Sequence, residues 1–404
     1  MRLTTLCGTL FAAMLPVAAH AQISGDVIKI GVLTDMAGVT ADITGKGSLL
    51  AAEMAVREVA GSVLGKPIQV ISADHQHKAD VGAAIARQWI DVEGVDAIVD
   101  VPNSSVALAV QGLTRDKKRI VLYSGAGTTA LTNEQCSPYG FHWTYDTYAV
   151  SHGTASAVVK AGGTSWFILA SDYAFGHQLQ ADATKVVTAA GGKVLGATRH
   201  PLNTADFSSF LLRAQSSGAE VIGIANAGND TVNTMKQAGE FGLVQGGQSL
   251  AALILFLQDV HALGLNVAQG TYLTTASYWD MNEATRAWSK EFMAGTGMMP
   301  SMLQVGVYGA VRHYLKAVAN AGTDDADKVA TAMRATPIED IFSENARIRE
   351  DGRVTRTMHL ARVKKPADSK YPWDYFEIVR TIAPEETVWP LAESKCPLVK
   401  NATR

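Results

Sequence analysis

Three polar residues in one short segment have side chains of the kind that bind metals. Asp74, His75 and His77 lie in ADHQHKAD, between a predicted strand and a predicted helix. Zinc sites need three or four such ligands in a tight arrangement. Two histidines separated by one residue on a loop, without further ligands nearby, are more typical of a solvated turn. We therefore expect no metal site, and the sequence indicates no cofactor.

Motifs of nucleotide binding and catalysis are incomplete. GAGTTA, residues 125–130, fits the dinucleotide pattern G-x-G-x-x-A, but it follows a late strand and lacks an acidic residue on the next strand. GSVLGKP, residues 61–67, has the wrong spacing for a phosphate-binding loop and ends in proline. The sequence has no G-x-S-x-G or H-E-x-x-H motif. We expect a binding protein, with an enzyme as the alternative.

The N-terminus has the pattern of a secretory signal peptide. MRLTTLCGTLFAAMLPVAAHA combines Arg2, an apolar run, Pro16 and a small-residue site that ends at Ala21. A membrane anchor is the alternative, but the apolar run is too short to span a bilayer. We expect cleavage after Ala21 and a mature chain that begins at Gln22 outside the cytoplasm.

Charge and hydropathy exclude two kinds of partner. The 404-residue chain carries 35 Lys and Arg against 38 Asp and Glu, a formal net charge of −3. This balance leaves no basic face for nucleic acid or anionic lipid. The stretch SLAALILFLQDVHALGL is short and contains Gln258 and Asp259, so we expect no membrane-spanning helix.

Two cysteines remain after the predicted cleavage, Cys136 and Cys396. An even count in an oxidising compartment suggests a disulfide between the C-terminal tail and the middle of the chain. Two unpaired buried thiols are the alternative, which fits less well because both cysteines lie in polar, Pro-containing segments. A disulfide would also make Cys136 a poor nucleophile.

Short β-branched runs alternate with Ala-rich helical stretches. The alternation begins with VIKIGVL and GSLLAAEMAVREV, and it restarts with SWFILA and GHQLQADATKVVTAAGG. Such alternation predicts an α/β fold of parallel sheets covered by helices. We expect two Rossmann-like lobes, residues 22–143 with 272–343 and residues 144–271 with 344–404. TYLTTA is predicted to complete the first lobe, and the segments around ADSKYPWD to form an antiparallel hairpin.

Residues suited to ligand contact follow the predicted strands. Ligands of open α/β sheets bind beyond the carboxyl ends of the strands, where helix N-termini present free N–H groups. The segments at these positions are PNSSV, SGAGTT, SDYAFG and ANAGND. Helix capping is the alternative role for the serine hydroxyls and for the side chains of Asn229 and Asp230.

Together these segments resemble one family of exported proteins. IKIGVLTDMAG, VPNSSVALAV, YSGAGTTALT, SDYAFG and DFSSFLLRAQSSGAEVIGIANAGND have the order and spacing of the leucine/isoleucine/valine-binding, or type I periplasmic, solute-binding proteins. The resemblance covers the whole mature chain. It implies a periplasmic protein whose two lobes are joined by a three-strand hinge. A cleft between the lobes would close on a small ligand for delivery to an ABC permease in the inner membrane.

The resemblance also implies roles for single residues. Ser104 or Ser105 would bind a ligand carboxylate, together with the main chain of Ala126 and the hydroxyl of Thr128. Phe175 matches a ligand-contacting aromatic residue of the family. The remaining predicted ligand contacts are Tyr148, Tyr173, Asn226, Gly228, Phe256 and Tyr278.

One position departs from the family. Amino-acid binders carry a carboxylate after the strand that corresponds to LAALILF, whereas this sequence reads Leu255-Phe256-Leu257-Gln258. A buried ligand ammonium without a counter-charge is strongly disfavoured. Phe256 and the neighbouring aromatic candidates therefore favour an aromatic or related organic acid. Asp259 is close enough to serve an amino acid instead, and the large aromatic residues could simply fill the core.

Several alternatives stay open at this point. The ligand could be a branched-chain or other amino acid, an amide or urea. A receptor that presents its ligand to a chemosensory membrane protein is a further function, whereas a cytoplasmic amide-sensing regulator disagrees with the signal peptide. We expect a monomer, with crossovers near residues 143–148, 270–274 and 341–347.

Overall fold

A computed structural model describes residues 23–399 of the chain. The predicted signal peptide and its cleavage site after Ala21 lie outside the described residues. Among the helices of residues 23–399, none combines the length and apolar character needed to cross a bilayer.

The first sheet is built from the N-terminal part of the chain. Its elements are β1 (Ile28–Thr34), α1 (Gly45–Glu58), β2 (Ser62–Val63), β3 (Lys66–Asp74), α2 (Ala79–Gln88), β4 (Ala97–Asp100), α3 (Ser104–Lys117), β5 (Ile120–Tyr123) and β6 (Gly140–His142). The strand order is β2-β3-β1-β4-β5-β6, and all neighbours are parallel except the β2–β3 hairpin. Strands β4 and β5 are buried along their whole length, as expected for parallel strands covered on both faces.

The second sheet is built from a similar alternation of strands and helices. Its elements are α4 (Thr147–Val150), α5 (Ser156–Lys160), β7 (Ser165–Ser171), α6 (Ala174–Ala189), β8 (Lys193–His200), α7 (Ser208–Ser216), β9 (Val221–Ala225), α8 (Asn229–Glu240), β10 (Ser249–Ala252), α9 (Leu257–Leu263) and α10 (Leu265–Ala268). The four strands are parallel in the order β10-β9-β7-β8. The switch of strand order on either side of β1 and β7 places the cleft at the carboxyl ends of these strands.

The last third of the chain contributes to both regions. It contains β11 (Tyr272–Thr275), α11 (Glu283–Thr296), α12 (Met302–Ala321), α13 (Ala326–Ala335), β12 (Arg347–Ile348), β13 (Val354–Thr355), β14 (Met358–Val363) and β15 (Phe376–Ile382). Side chains of α11, α12 and α13 share one apolar core with the first sheet, as Trp288, Tyr314 and Val329 show. Strands β14 and β15 form the predicted antiparallel hairpin around ADSKYPWD.

Strand β11 corrects one prediction. TYLTTA was expected to complete the first lobe, but β11 pairs antiparallel with β14, where Leu273 lies opposite Ala361. Leu273 also packs in one apolar cluster with Phe376 of β15. The chain therefore crosses back to the first sheet after Thr275, and the crossover predicted at 270–274 lies a few residues too early.

A buried ion pair joins two of the crossovers. Arg353 Nε donates to Asp146 Oδ2 at 2.7 Å, and both side chains are about 2% exposed. Arg353 Nη1 also donates to the His142 carbonyl at 3.0 Å. Asp146 in turn caps α4 by accepting the Ala149 N–H. Two separate passages of the chain between the sheets are thus tied at one point.

Cys136 and Cys396 form a disulfide, with a Cα–Cα distance of 5.6 Å across 260 residues of sequence. The bond lies in a small buried cluster with Val399. It holds the C-terminal tail against the loop that follows β5.

Candidate functional site

A narrow cavity of about 10 Å³ lies between the carboxyl ends of the two sheets. The first wall comes from loops and helices beside the first sheet and comprises Thr40, Ile43, Pro102, Gly125 and Leu303. The second wall comes from the second sheet and comprises Tyr173, Phe175, Ala227 and Phe256. Tyr145, on the first crossover, closes the cavity between them.

Four aromatic rings dominate the lining. The rings of Tyr145 and Phe256 meet edge to face with centroids 6.5 Å apart, and those of Tyr173 and Phe175 are 6.0 Å apart. These distances are typical of attractive aromatic pairs. Gly127 is packed against the same group, because a Cβ there would lie 2.8 Å from the Phe175 ring and 2.9 Å from the Tyr145 ring. The rings therefore give the cavity flat apolar walls.

No charged side chain lines this cavity in the described part of the chain. The Tyr145 hydroxyl donates to the Gly125 carbonyl at 3.1 Å. Burial raises the pKa of Tyr145 and of Tyr173 well above the usual value, so both phenols stay neutral. The Thr40 hydroxyl donates to Asp35 Oδ2 at 2.7 Å. The wall thus offers neutral polar groups rather than a counter-charge.

The predicted carboxylate-binding residues lie behind the first wall and not in its lining. Ser104 Oγ accepts the N–H groups of Gly127 and Thr128 at 3.3 and 3.2 Å. Thr128 Oγ1 accepts the Ala130 N–H, as a cap of a short 3-10 turn. Ala126 is buried, and its carbonyl contacts His142 Nε2 at 2.7 Å. The hydroxyl of Ser104 therefore fixes the backbone of the Gly125–Thr128 loop on the side away from the cavity.

Ser105 and Gly228 contact the opposite side of the cleft, whereas Asn226 contacts its own loop and helix. Ser105 Oγ accepts the Ala174 N–H across the cleft at 3.4 Å. Gly228 has φ +59°, and a Cβ there would lie 2.1 Å from the Val39 carbonyl oxygen, so only glycine permits this approach. Asn226 is fully buried, and its amide bonds to Thr231 and Thr234 within the same loop and helix. Ala227, between them, is the residue that lines the cavity.

Two predicted contacts lie elsewhere. Tyr148 stacks on His152 and meets Trp389 edge to face, outside the cavity. The Tyr278 hydroxyl donates to the Trp373 carbonyl at 3.1 Å, and the Tyr278 ring packs against Phe376. Neither residue lines the cavity, since Tyr148 packs against His152 and Trp389 and Tyr278 packs against the sheet formed by β11, β14 and β15.

Asp259, the alternative partner for a ligand ammonium, is a helix cap. Its Oδ2 accepts the Phe256 N–H at 2.9 Å at the start of α9. Burial raises its pKa to about 7, although this hydrogen bond lowers it. Asp259 does not line the cavity.

The segment around His77 holds no metal cluster among residues 23–399. His77 Nε2 instead contacts Asp35 Oδ2 at 2.6 Å. Burial alone would raise the pKa of Asp35, but hydrogen bonds from His77 and Thr40 hold it well below its usual range. Burial lowers the pKa of His75 to about 3, so that ring is neutral.

Sequence reasoning missed seven of the ten lining residues. Tyr145 lies in the bridging segment FHWTYDTYAV, and Pro102 and Gly125 lie beside residues that were chosen, so proximity to strand ends was the available signal. Ile43 and Leu303 come together because the Ser301 hydroxyl, at the start of α12, donates to the Ile43 carbonyl at 2.6 Å. No local pattern indicates that long-range contact.

Comparisons with known proteins agree with this architecture. A family model described as periplasmic binding protein matches residues 27–370. The crystal structure of a periplasmic binding protein from Burkholderia mallei is 49% identical, with a TM-score of 0.91, and the match covers 93% of this chain and 100% of that one. A branched chain amino acid ABC transporter periplasmic ligand-binding protein from Burkholderia xenovorans is 41% identical, with a TM-score of 0.82 and coverage of 92% and 100%.

More distant relatives differ in what they bind. The Leu/Ile/Val-binding protein homolog 6 of Brucella melitensis is 27% identical over 89% of this chain and 93% of its own length. A solute binding protein of an ABC transporter from R. palustris, in complex with benzoate, shares the fold at 19% identity, with a TM-score of 0.77 and coverage of 88% and 98%. The chain belongs to the periplasmic binding protein family, within the leucine/isoleucine/valine-binding group of ABC-transporter solute-binding proteins, and is not an enzyme.

Proposed function

We propose that this protein captures a small organic acid with an aromatic body. The observation that carries the proposal is the lining itself, four aromatic rings with neutral polar groups and no charged side chain. A flat apolar body gains from leaving water and from edge and face contacts with such rings. The cavity measures only about 10 Å³ in this structure, so the two walls would separate to admit a single ring.

The carboxylate would be met by the loop after β5. Ser104 lies behind this loop, and its Oγ uses its lone pairs for the N–H groups of Gly127 and Thr128, which leaves the hydroxyl proton for a carboxylate that reaches past the lining. This agrees with the role that the family resemblance assigns to Ser104. The benzoate complex of the R. palustris protein supports the same ligand class on the same fold.

An amino acid is the second candidate, favoured by the description of the Burkholderia xenovorans relative. Its ammonium would need a carboxylate, and no acidic side chain among residues 23–399 lines the cavity. Asp259 caps α9, and Asp35 accepts hydrogen bonds from Gly38, Thr40 and His77. The ammonium would therefore be desolvated without a carboxylate partner in the lining.

We also propose that the mature protein is periplasmic and monomeric and delivers its ligand to an ABC permease of the inner membrane. The family and the signal-peptide pattern support this placement. Closure of the cleft about the crossovers would signal occupancy to the permease.

A thermal-shift screen of the chain from Gln22 tests the ligand class. The panel is benzoate, hydroxylated benzoates, aliphatic acids, branched-chain amino acids, amides and urea. A ligand at a hundredfold its Kd stabilises the folded state by about 2.7 kcal/mol, which a melting curve resolves. We expect shifts with the aromatic acids, and a shift with amino acids alone would contradict the proposal.

A pair of serine variants tests the carboxylate contact. Ser104→Ala should remove the shift given by aromatic acids. Ser124→Ala is the matched control, because Ser124 Oγ is also buried in the neighbouring loop but has no hydrogen-bond partner. Equal loss of the shift in both variants would show that the loop, and not the Ser104 hydroxyl, is what matters.

A further inference from the structure

The loop of residues 36–40, here called the closure loop, makes a backbone contact across the cleft. The Val39 carbonyl accepts the N–H of Asn229 at 2.9 Å, at the first residue of α8. The backbone of Gly228 lies so close to the same oxygen that a Cβ would not fit. This closure contact joins a loop beside the first sheet to a helix of the second.

Asp35 fixes the closure loop through hydrogen bonds. Its Oδ1 accepts the Gly38 N–H at 2.6 Å, and its Oδ2 accepts the Thr40 N–H at 2.8 Å and the Thr40 hydroxyl at 2.7 Å. The Asp35 side chain is 1% exposed. One carboxylate thus fixes the loop on both sides of Val39.

His77 orients Asp35, and Asn103 orients His77. Asn103 Oδ1 accepts the N–H groups of Ser105 and Val106 as the cap of α3, which turns the Asn103 amide nitrogen toward His77 Nδ1 at 3.0 Å. His77 Nδ1 must then accept, so the ring proton lies on Nε2 and is donated to Asp35 at 2.6 Å. Only one arrangement of these three side chains satisfies every group.

We propose that Asp35, His77 and Asn103 form a positioning triad that presents the Val39 carbonyl for cleft closure. The proposal rests on the function proposed above and concerns how the same site closes. The triad links the loops that follow β1, β3 and β4, so three strand ends of the first sheet are set together before a ligand arrives. Positioning in advance lowers the ordering cost that closure would otherwise carry.

Amide hydrogen exchange on the ligand-free mature protein tests the triad directly. His77→Ala should speed exchange at Asn229 and Thr40 by about tenfold, since the acceptor of each amide is no longer held in position. His77→Gln should restore protection, because its amide can donate to Asp35 and accept from Asn103. A merely space-filling role for the ring would not be rescued in this way.

The matched control is His177→Ala. His177 Nε2 also contacts a carboxylate, Asp172 Oδ1, at 2.7 Å, but both side chains are about half exposed and the pair lies outside the cavity lining. Exchange at Asn229 should not change in this variant. If His77→Ala does not fold, Asp35→Asn provides the same test, and it should also speed exchange at Thr40.

Two results would overturn the proposal. One is unchanged exchange at Asn229 in His77→Ala, and the other is a His77→Gln variant no better protected than His77→Ala. Benzoate dissociation gives a second readout, expected to be about tenfold faster in His77→Ala with little change in association. If benzoate does not bind the wild-type protein, the function proposed above fails while the exchange experiment still decides the triad.

Discussion

The two walls of the cavity differ in the side chains that they present. The first wall carries the aliphatic side chains of Ile43, Pro102 and Leu303 and lies over polar groups that are already hydrogen-bonded, such as Thr40 to Asp35 and Ser104 to the Gly127 loop. The second wall presents the rings of Tyr173, Phe175 and Phe256. Polar groups thus lie behind one wall and aromatic rings form the other. Under the proposed function, closure would bring both to a ligand with one charged end and one flat end.

Blocking closure should have the largest effect on affinity. Gly228→Ala places a Cβ 2.1 Å from the Val39 carbonyl oxygen. The closed state is then penalised while the open state is not, and affinity for the aromatic acid should fall by more than about a hundredfold. Isothermal titration calorimetry measures the change.

Gly247→Ala is the control for Gly228→Ala. Gly247 also has a positive φ, of +95°, but a Cβ there would meet nothing within 4 Å. Both variants carry the backbone strain of a left-handed alanine, and only Gly228→Ala carries the clash. Equal affinities in the two variants would mean that the walls do not need to meet at this point.

Weakening the second wall should have the next largest effect. Phe256 is 3% exposed and meets Tyr145 edge to face. Phe256→Ala removes one of the four lining rings, and we expect affinity for aromatic acids to fall by about thirtyfold. Phe241→Ala, at an exposed phenylalanine, should leave affinity unchanged. Unchanged affinity in Phe256→Ala would remove the aromatic wall from the recognition model.

A buried carboxyl beside the first wall should make the free energy of unfolding depend on pH. Burial raises the pKa of Asp100, at the end of β4, to about 7 from an ordinary value of 3.8, although Thr34 donates a hydrogen bond to it. The folded chain then keeps a proton that the unfolded chain releases above about pH 4. The contribution of this carboxyl to stability is complete below that pH and is lost as pH rises toward 7.

Asp100→Asn removes this titration. Between pH 4 and 7 the wild-type free energy of unfolding should fall more steeply than that of Asp100→Asn, by at most about 1.4 kcal/mol per pH unit. Urea unfolding at several pH values measures both slopes. Other buried acids, such as Asp182 and Asp259, contribute equally to both proteins. Parallel slopes would show that Asp100 ionises in the folded protein as easily as in the unfolded chain.

The fold class was predictable because its signals are local. Alternating β-branched and Ala-rich segments indicated the parallel sheets, and the type I fold is confirmed by the family match and the relatives. Strand β11 was placed in the wrong region because a four-residue apolar strand carries no information about its partner. Only the pairing with β14 decides its place.

The site was predictable where a residue directly follows a strand. Tyr173, Phe175 and Phe256 line the cavity because the carboxyl ends of parallel strands converge on the cleft. The serine and threonine hydroxyls were harder to interpret, since the sequence does not show whether a hydroxyl faces a ligand or a neighbouring N–H. Ser104 and Thr128 both face backbone N–H groups. Leu303 was beyond prediction, because it reaches the cavity from a helix that is distant in sequence.

The closure contact joins a main-chain carbonyl at Val39 to a main-chain N–H at Asn229. Neither partner is a side chain, so the closure contact does not depend on which molecule is enclosed. We therefore expect substitutions in the aromatic wall to change which ligand is bound without changing this contact. Selectivity and the geometry of closure would then be separable properties of the molecule.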